Sequence, residues 1–350
     1  AQECNMRCSY CYGEGGEYNN KGIMTENVAF QAIDYLVKNS TDELLHIAFL
    51  GGEPLLNFPL LKKVVEYCKQ ISADTGKKFS YTITTNGTLI TDNIEKYLTE
   101  NKIVCQISLD GTKEKNDMNR FFRNKKGSYD VIVEKTKSMR HMNLVTARAT
   151  VTPDNSDYKE IFNHLNELEF RAIPIAIAQN MVDDEQFDKI LSEYINYIFY
   201  FEELILTKQY AKAKKMTDLV NALEKIEFGN VRNNGCGAGR TMFAVDIDGT
   251  LYPCHRFVGE RKFALGNIWT GSDNSKFLKM INVRNRDKCS KCWAQNLCLG
   301  CCPHENYTNT NNINLASERS CRMAKTIYEK LISVYIKMSD EDKKMMWPED

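Results

Sequence analysis

The chain has 350 residues, 46 basic against 46 acidic, and a hydrophobic fraction of 43%. Zero net charge gives no electrostatic case for a nucleic-acid or polyanion partner, and no apolar run is long enough to span a membrane. The length accommodates one large domain and a smaller one.

The chain opens AQECNMRCSYCYGEGG, placing Cys4, Cys8 and Cys11 in one short loop with no histidine beside them. From residue 24 to 180 helical and strand textures alternate. Ala29, Ala32, Ile33, Leu36 and Val37 share a helical face, with Thr25 as N-cap. The strand-like LLHIAFL follows and runs straight into GGEP, Gly51 to Pro54. Further helices are predicted over 58–75, 91–101, 128–143 and 157–169, separated by FSYTITT, IVCQISL, VTARATV and AIPIAIA. Strands alternating with helices imply βαβ units and a parallel sheet, open or closed as a partial barrel. One strand face is repeatedly polar: Thr82, Thr84 and Asn86; Gln106 and Ser108; Thr146, Arg148, Thr150 and Thr152. A doubly covered parallel sheet should be apolar on both faces, so this pattern suits the lumen of a barrel that holds a polar ligand.

Residues 184–228 read as mixed-charge helices. TMFAVDIDGTLYPCHRF is a hairpin signal around Asp248-Gly249. A short helix near 273–284, a cysteine-dense loop and a final helix over 318–340 complete the chain.

Of the thirteen cysteines, Cys68 and Cys105 sit on the apolar faces of a helix and a strand and read as small buried hydrophobes. The other eleven fall at the N-terminus and after residue 235. Disulfides suit small secreted chains. Clustered thiols in a chain of this size point instead to metal, either zinc or iron–sulfur. Zinc structural sites close with four ligands, and the opening loop offers three.

Taken together, C-NMR-C-SY-C with Tyr10 in its aromatic position, GGEP, TTNG from Thr84 to Gly87, and SLDG-TKEKN-D-MN-R from Ser108 to Arg120 resemble the radical SAM enzymes. The resemblance covers Cys4 to about Pro174. It implies an α/β fold, a partial (β/α)6 TIM-like barrel, with the first strand of the family's barrel lying ahead of the cysteine loop. It also implies that Cys4, Cys8 and Cys11 hold a radical-initiating [4Fe–4S] cluster and that S-adenosylmethionine binds its open iron. Tyr10, Gly51, Gly52, Glu53, Pro54, Asn86, Ser108 and Arg120 are the implied cofactor-binding residues.

The later cysteines, Cys236, Cys254, Cys289, Cys292, Cys298, Cys302 and Cys321, resemble the SPASM extension of these enzymes. The first gap is slightly longer than usual. By that resemblance Cys289, Cys292, Cys298 and Cys321 hold one auxiliary cluster and Cys236, Cys254 and Cys302 another, three [4Fe–4S] clusters in all. Cys301, adjacent to Cys302, is expected to point elsewhere as a spare thiol. The implied domains are a radical SAM barrel (1–180), a helical connection (181–235), a C-terminal SPASM domain (236–321) and a terminal helix (322–350).

Sulfatase-maturing members place an aspartate base directly after the hairpin cysteine, where this chain has His255. GCGAGR…AVDIDGTLYPCHRF…LGNI looks instead like the thioether-forming sactipeptide and ranthipeptide maturases. His255 is a candidate base or a hydrogen-bonded structural histidine. The resemblance implies a cytoplasmic enzyme acting on a cysteine-containing precursor peptide with a leader, with a reductase, flavodoxin or ferredoxin as electron donor. The same-class alternatives are formylglycine formation, epimerisation and carbon–carbon crosslinking; the different-class alternative is a non-catalytic iron–sulfur carrier.

Overall fold

A computed structural model describes residues 1–229 and 235–348. Residues 230–234 of the expected helical connection and 349–350 of the expected terminal segment lie outside the described residues. The elements follow the predicted order. Helix α1 (Glu26–Asn39) starts at Thr25, whose hydroxyl accepts the Val28 N–H. Strand β1 (Leu44–Phe49) precedes α2 (Phe58–Thr75), and β2 (Lys78–Thr85) precedes α3 (Asp92–Glu100). In α2 the buried residues are Leu61, Val64, Val65 and Cys68, the i, i+3, i+4, i+7 spacing of one helical face.

After β3 (Val104–Ser108) come α4 (Lys113–Asn119), α5 (Tyr129–Lys135) and α6 (Lys137–His141). The sequence predicts a single helix over 128–143; the chain breaks it at Thr136, which leaves helical geometry (φ −101°, ψ 0°) while its hydroxyl donates to the Ile132 carbonyl. Neither glycine nor proline marks that break. β4 (Val145–Val151), α7 (Tyr158–Glu167) and β5 (Ile175–Ile177) complete a five-stranded sheet in the order β1-β2-β3-β4-β5, a curled, partial-barrel sheet. β1 pairs with β2, β2 with β3 and β4 with β5 in parallel.

The faces alternate as expected except at two strand ends, where Asn86 and Thr152, placed on the polar face by the sequence, are buried by their local turns. Tyr81, Ile83, Cys105, Ile107, Val145, Ala147, Ala149 and Val151 are buried, while Thr82, Thr84, Gln106, Ser108, Thr146, Arg148 and Thr150 are half-exposed. His46 joins that polar face: its Nδ1 lies 2.9 Å from Ser80 Oγ and its Nε2 3.1 Å from Thr82 Oγ1.

The later elements are α8 (Asp184–Leu206), α9 (Tyr210–Ala213), α10 (Thr217–Glu227), β6 (Ala244–Val245), β7 (Thr250–Tyr252), β8 (Gly266–Asn267), β9 (Gly271–Ser272), α11 (Ser275–Ile281), α12 (Asp287–Ser290), α13 (Gln295–Cys298), α14 (Pro303–Thr310), α15 (Glu318–Lys337) and α16 (Asp340–Met346). β6 and β7 form the expected hairpin, which extends through β8 and β9 into a four-stranded antiparallel sheet. No helix among the described residues is long and apolar enough to cross a membrane.

The chain divides into two compact units. The first comprises residues 1–109, 113–146 and 238–277; the second comprises 110–112, 147–237 and 278–350. Within the second, α8 and α10 pack on α15. Its core includes Tyr158, Tyr194 and Tyr197, with ring centroids 4.9–6.1 Å apart.

Beside these rings the enclosed carboxylate of Asp218 accepts from the Tyr194 hydroxyl at 3.2 Å. Desolvation pushes its pKa up from 3.8 to about 7, against the opposing pull of its hydrogen bonds and Arg148. A carboxyl raised in the folded state binds more protons there than in the unfolded chain. Stability therefore falls as pH rises from about 4 to about 7, by at most roughly 4 kcal/mol. Asp218→Asn keeps the acceptor for Tyr194 and removes the titration. Urea unfolding at pH 5 and pH 8 is expected to show a flatter pH dependence and a gain on the order of 1–4 kcal/mol at pH 8.

Candidate active site and thiol groups

The opening cysteine loop is fastened on both sides by backbone hydrogen bonds within the first unit. Arg7 N donates to Phe121 O at 2.8 Å and Ser9 N to Asn119 O at 2.9 Å. On the other side, Gly52 N donates to Ala1 O (2.7 Å) and Glu53 N to Glu3 O (2.8 Å). That approach requires glycine: a Cβ at Gly52 would stand 2.2 Å from Glu3 O, and one at Gly51, with φ +143°, 2.0 Å from Ala1 O. Gly52→Ala is therefore expected to displace the 1–3 segment and with it Cys4. Loss of iron from the N-terminal site, with an otherwise unchanged far-ultraviolet spectrum, would report it.

Two donors and an adjacent glycine shape the surroundings of the Cys4 thiol. Its Sγ accepts from Met6 N at 3.4 Å and from Asn86 Nδ2 at 3.9 Å. Asn86 also donates to Asn5 Oδ1 (2.9 Å), and Asn5 donates to Thr88 Oγ1 (2.8 Å). A Cβ at Gly16 would lie 2.8 Å from Cys4 Cβ and 2.5 Å from Gly52 Cα. Burial pushes the Cys4 thiol up, and the Met6 N–H opposes it.

Glu53 is wholly buried and accepts from Leu55 N (3.0 Å), Thr85 Oγ1 (2.7 Å) and Asn86 N (2.8 Å). Desolvation raises its pKa, with these donors and Arg120 pulling the other way. Arg120, buried, donates to the Tyr10 hydroxyl at 2.6 Å. Ser108 ends β3 on the polar face. Thus Tyr10 and Arg120 meet directly, and Glu53, Asn86 and Cys4 form one hydrogen-bonded chain.

Sequence reasoning missed Tyr12 and Tyr18. The Tyr18 hydroxyl donates to Gly51 O at 3.1 Å and lies 3.4 Å from the Tyr12 hydroxyl. The Tyr12 ring stands 6.1 Å from the His255 ring and 5.8 Å from the Arg256 guanidinium. His255 is thereby placed beside the cysteine loop, at the end of the hairpin that carries Cys254. Only the clustering of tyrosines after Cys11 could have hinted at this.

In the second unit, Cys289, Cys292, Cys298, Cys301 and Cys321 share one neighbourhood. Cys301, expected to point elsewhere than its neighbour Cys302, faces Cys298. Its Sγ lies 3.5 Å from Cys298 Sγ and 3.6 Å from Ser320 O. Leu299, Gly300 and Cys301 have φ of 54°, 81° and 62°, and this left-handed turn swings Cys301 back toward Cys298. The hydrogen bond between the two thiols lowers Cys298 and raises Cys301.

Among the described residues no three His, Cys, Asp or Glu side chains grip a single metal position as they stand. The donor chemistry nevertheless fits iron–sulfur clusters. The N-terminal loop supplies three thiols, N–H donors on Cys4 and a glycine cradle, and the second unit supplies five grouped thiols with the buried Arg286 beside them.

Three thiols in a loop against a βα sheet, joined to a cysteine-rich C-terminal region, define an iron–sulfur enzyme of the radical type. Two family models match: the radical SAM superfamily over residues 1–168, and SPASM, an iron–sulfur cluster-binding domain, over residues 236–293. The chain belongs to the radical SAM superfamily and carries a SPASM domain. The cysteine-type anaerobic sulfatase-maturating enzyme of Clostridium novyi is 26% identical over 95% of this chain and 93% of its own. The radical SAM cyclopropyl synthase TigE of Paramaledivibacter caminithermalis is 22% identical over 95% and 72%. An uncharacterized protein of Methanocaldococcus jannaschii, MJ0907, is 34% identical over 57% and 71%. The solved structure of native anSMEcpe with bound AdoMet shares the fold at a TM-score of 0.77, with 22% identity over 97% of this chain and 98% of that one.

Proposed function

We propose that this radical SAM–SPASM enzyme is a peptide maturase that joins a substrate cysteine sulfur to a carbon of another residue, forming a thioether. The observation that carries the reading is His255. It follows the hairpin cysteine Cys254 and stands beside Tyr12 of the cysteine loop, where a sulfatase-type maturase would place a carboxylate. In our reading Cys4, Cys8 and Cys11 hold the radical-initiating cluster, and Cys289, Cys292, Cys298 and Cys321 hold an auxiliary one. Cys236, Cys254 and Cys302 hold the other, with a place for the substrate thiolate. That N-terminal cluster, held by Cys4, Cys8 and Cys11, would supply one-electron reduction of S-adenosylmethionine and so a hydrogen-abstracting radical.

The chain's own residues orient and shield. The buried Glu53 anchors the GGEP turn and Asn86, which fixes the orientation of the turn toward the methionine amine. Arg120, held by Tyr10, offers a cation to the cofactor carboxylate. The polar face of Thr82, Thr84, Gln106 and Ser108 suits the ribose and peptide groups. The buried Tyr18 shields the loop from water beside Gly51, and we assign to His255 the proton that a substrate thiol must shed.

The second reading is formylglycine formation, favoured by the near full-length similarity to sulfatase-maturating enzymes. Incubation with S-adenosylmethionine, dithionite and a cysteine-containing peptide encoded beside the gene separates the two. Loss of two hydrogens with sulfur retained supports the thioether, whereas an aldehyde with sulfur lost assigns the second reading. An electron carrier would make no 5′-deoxyadenosine. Anaerobic reconstitution is expected to load about twelve irons per chain. About four, with bound zinc, would overturn the two auxiliary clusters.

A further inference from the structure

The thiol group of the second unit holds one cysteine more than a four-iron cluster needs. Cys321 lies within electrostatic reach of Cys289 and Cys298, and Cys289 of Cys298, so these three are mutual neighbours. Two thiols stand ready for the fourth iron. Cys292 neighbours Cys289, and Cys301 neighbours Cys298 and Cys321.

The position of Cys301 is built. Leu299 and Cys301 occupy the left-handed region that favours glycine, on either side of Gly300. Two buried side chains hold that turn: Arg286 Nη1 donates to Gly300 O at 2.8 Å, and Asn306 Nδ2 donates to the same oxygen at 3.0 Å. A Cβ at Gly300 would meet Arg286 Nη1 at 2.5 Å, so clamp and turn are fitted to each other.

Arg286 is 5% exposed, and its Nη2 donates to Ile281 O at 3.0 Å. Its buried Nε is not satisfied by any backbone carbonyl among the described residues, and Cys289 is the side chain it faces most closely as a donor. A guanidinium does not deprotonate in proteins, and a buried charge needs an opposite one. The groups facing Arg286 are Cys289, Cys298 and Cys301. Thiolates gathered on a metal cluster supply that negative charge, and the Nε–H remains as a donor toward it.

We propose that Cys301 is an alternate ligand of the cluster held by Cys289, Cys298 and Cys321, exchanging with Cys292 at the fourth iron. The proposal rests on the reading that these C-terminal thiols hold a cluster at all. In the exchange one iron–sulfur bond breaks and another forms. The departing thiolate takes up the proton that the arriving thiol releases, and no electron moves.

The test uses the anaerobically reconstituted protein, with bound iron, the electron-paramagnetic spectrum and iodoacetamide labelling read by mass spectrometry. Cys292→Ala and Cys301→Ala are each expected to keep wild-type iron, while the double variant loses about four irons. In Cys292→Ala, labelling of Cys301 should rise at least about tenfold once a chelator strips the iron. In the wild-type protein, which needs no substitution, label should appear on both Cys292 and Cys301. The proposal is overturned if either single variant loses as much iron as the double, if the double keeps its iron, or if label falls on Cys301 alone in wild type. Replacing Cys289, Cys298 and Cys321 together by alanine separates the two levels. If that variant keeps all its iron, the C-terminal cluster itself has been misassigned; if it loses iron while Cys292→Ala does too, only the exchange fails.

Discussion

Replacing Cys4, Cys8 and Cys11 together by alanine is expected to bring 5′-deoxyadenosine formation down to the uncatalysed background, a fall of at least roughly 10⁶-fold. In the proposed assignment these three thiolates are the cluster's only anchor in that loop, and alanine cannot ligate iron. The three side chains are half-exposed, not core residues, and the loop's backbone contacts to Asn119, Phe121 and Gly52 do not involve them. The variant should therefore fold, keep its far-ultraviolet spectrum and lose about four of about twelve irons. Product measured by chromatography after incubation with S-adenosylmethionine and dithionite decides it. Continued cleavage would place the radical-initiating cluster elsewhere.

The second large effect is expected at Glu53. Its carboxylate satisfies three donors, Leu55 N, Thr85 Oγ1 and Asn86 N, in a site with no exposure. Truncation to alanine leaves two backbone N–H groups and a hydroxyl without an acceptor, at about 1–3 kcal/mol each, so a destabilisation of roughly 3–9 kcal/mol is expected. Glu53→Gln retains one carbonyl acceptor and the shape, and should cost far less. Thermal unfolding of the two variants, with calorimetric titration of S-adenosylmethionine, checks both parts. If alanine and glutamine behave alike, the hydrogen-bonding role assigned to the carboxylate is wrong.

Most of the sheet was legible because strand and helix periods differ and each element keeps its own. β2 and β4 alternate cleanly, and α2 repeats Leu61, Val64, Val65 and Cys68 on one face. What sequence reading could not reach was set by non-local packing or by unsignalled backbone geometry. The break at Thr136 has no glycine or proline. The left-handed conformation of Leu299 is invisible in a residue that rarely adopts it, so the return of Cys301 toward Cys298 was missed although Gly300 stood beside it. His255 lies more than 230 residues from Tyr12 and Tyr18, and its ring meets that of Tyr12 only through folding. Arg286, three positions before Cys289, carries no motif signal.

The first compact unit is discontinuous, drawing its last part from residues 238–277. Arg256 and His255 meet Tyr12 there, and Gly259 lies against Tyr18 so closely that a Cβ would stand 2.4 Å from the Tyr18 carbonyl. During synthesis on a ribosome, the opening cysteines emerge long before the hairpin that covers their loop. If that loop takes the proposed cluster, metal delivery to it has a window, while translation proceeds through the intervening residues, in which the thiols are present but the cover is not. A fragment cut between residues 146 and 238 would remain in that uncovered condition, so the amino-terminal half is an unsuitable piece to express alone or to graft onto another protein.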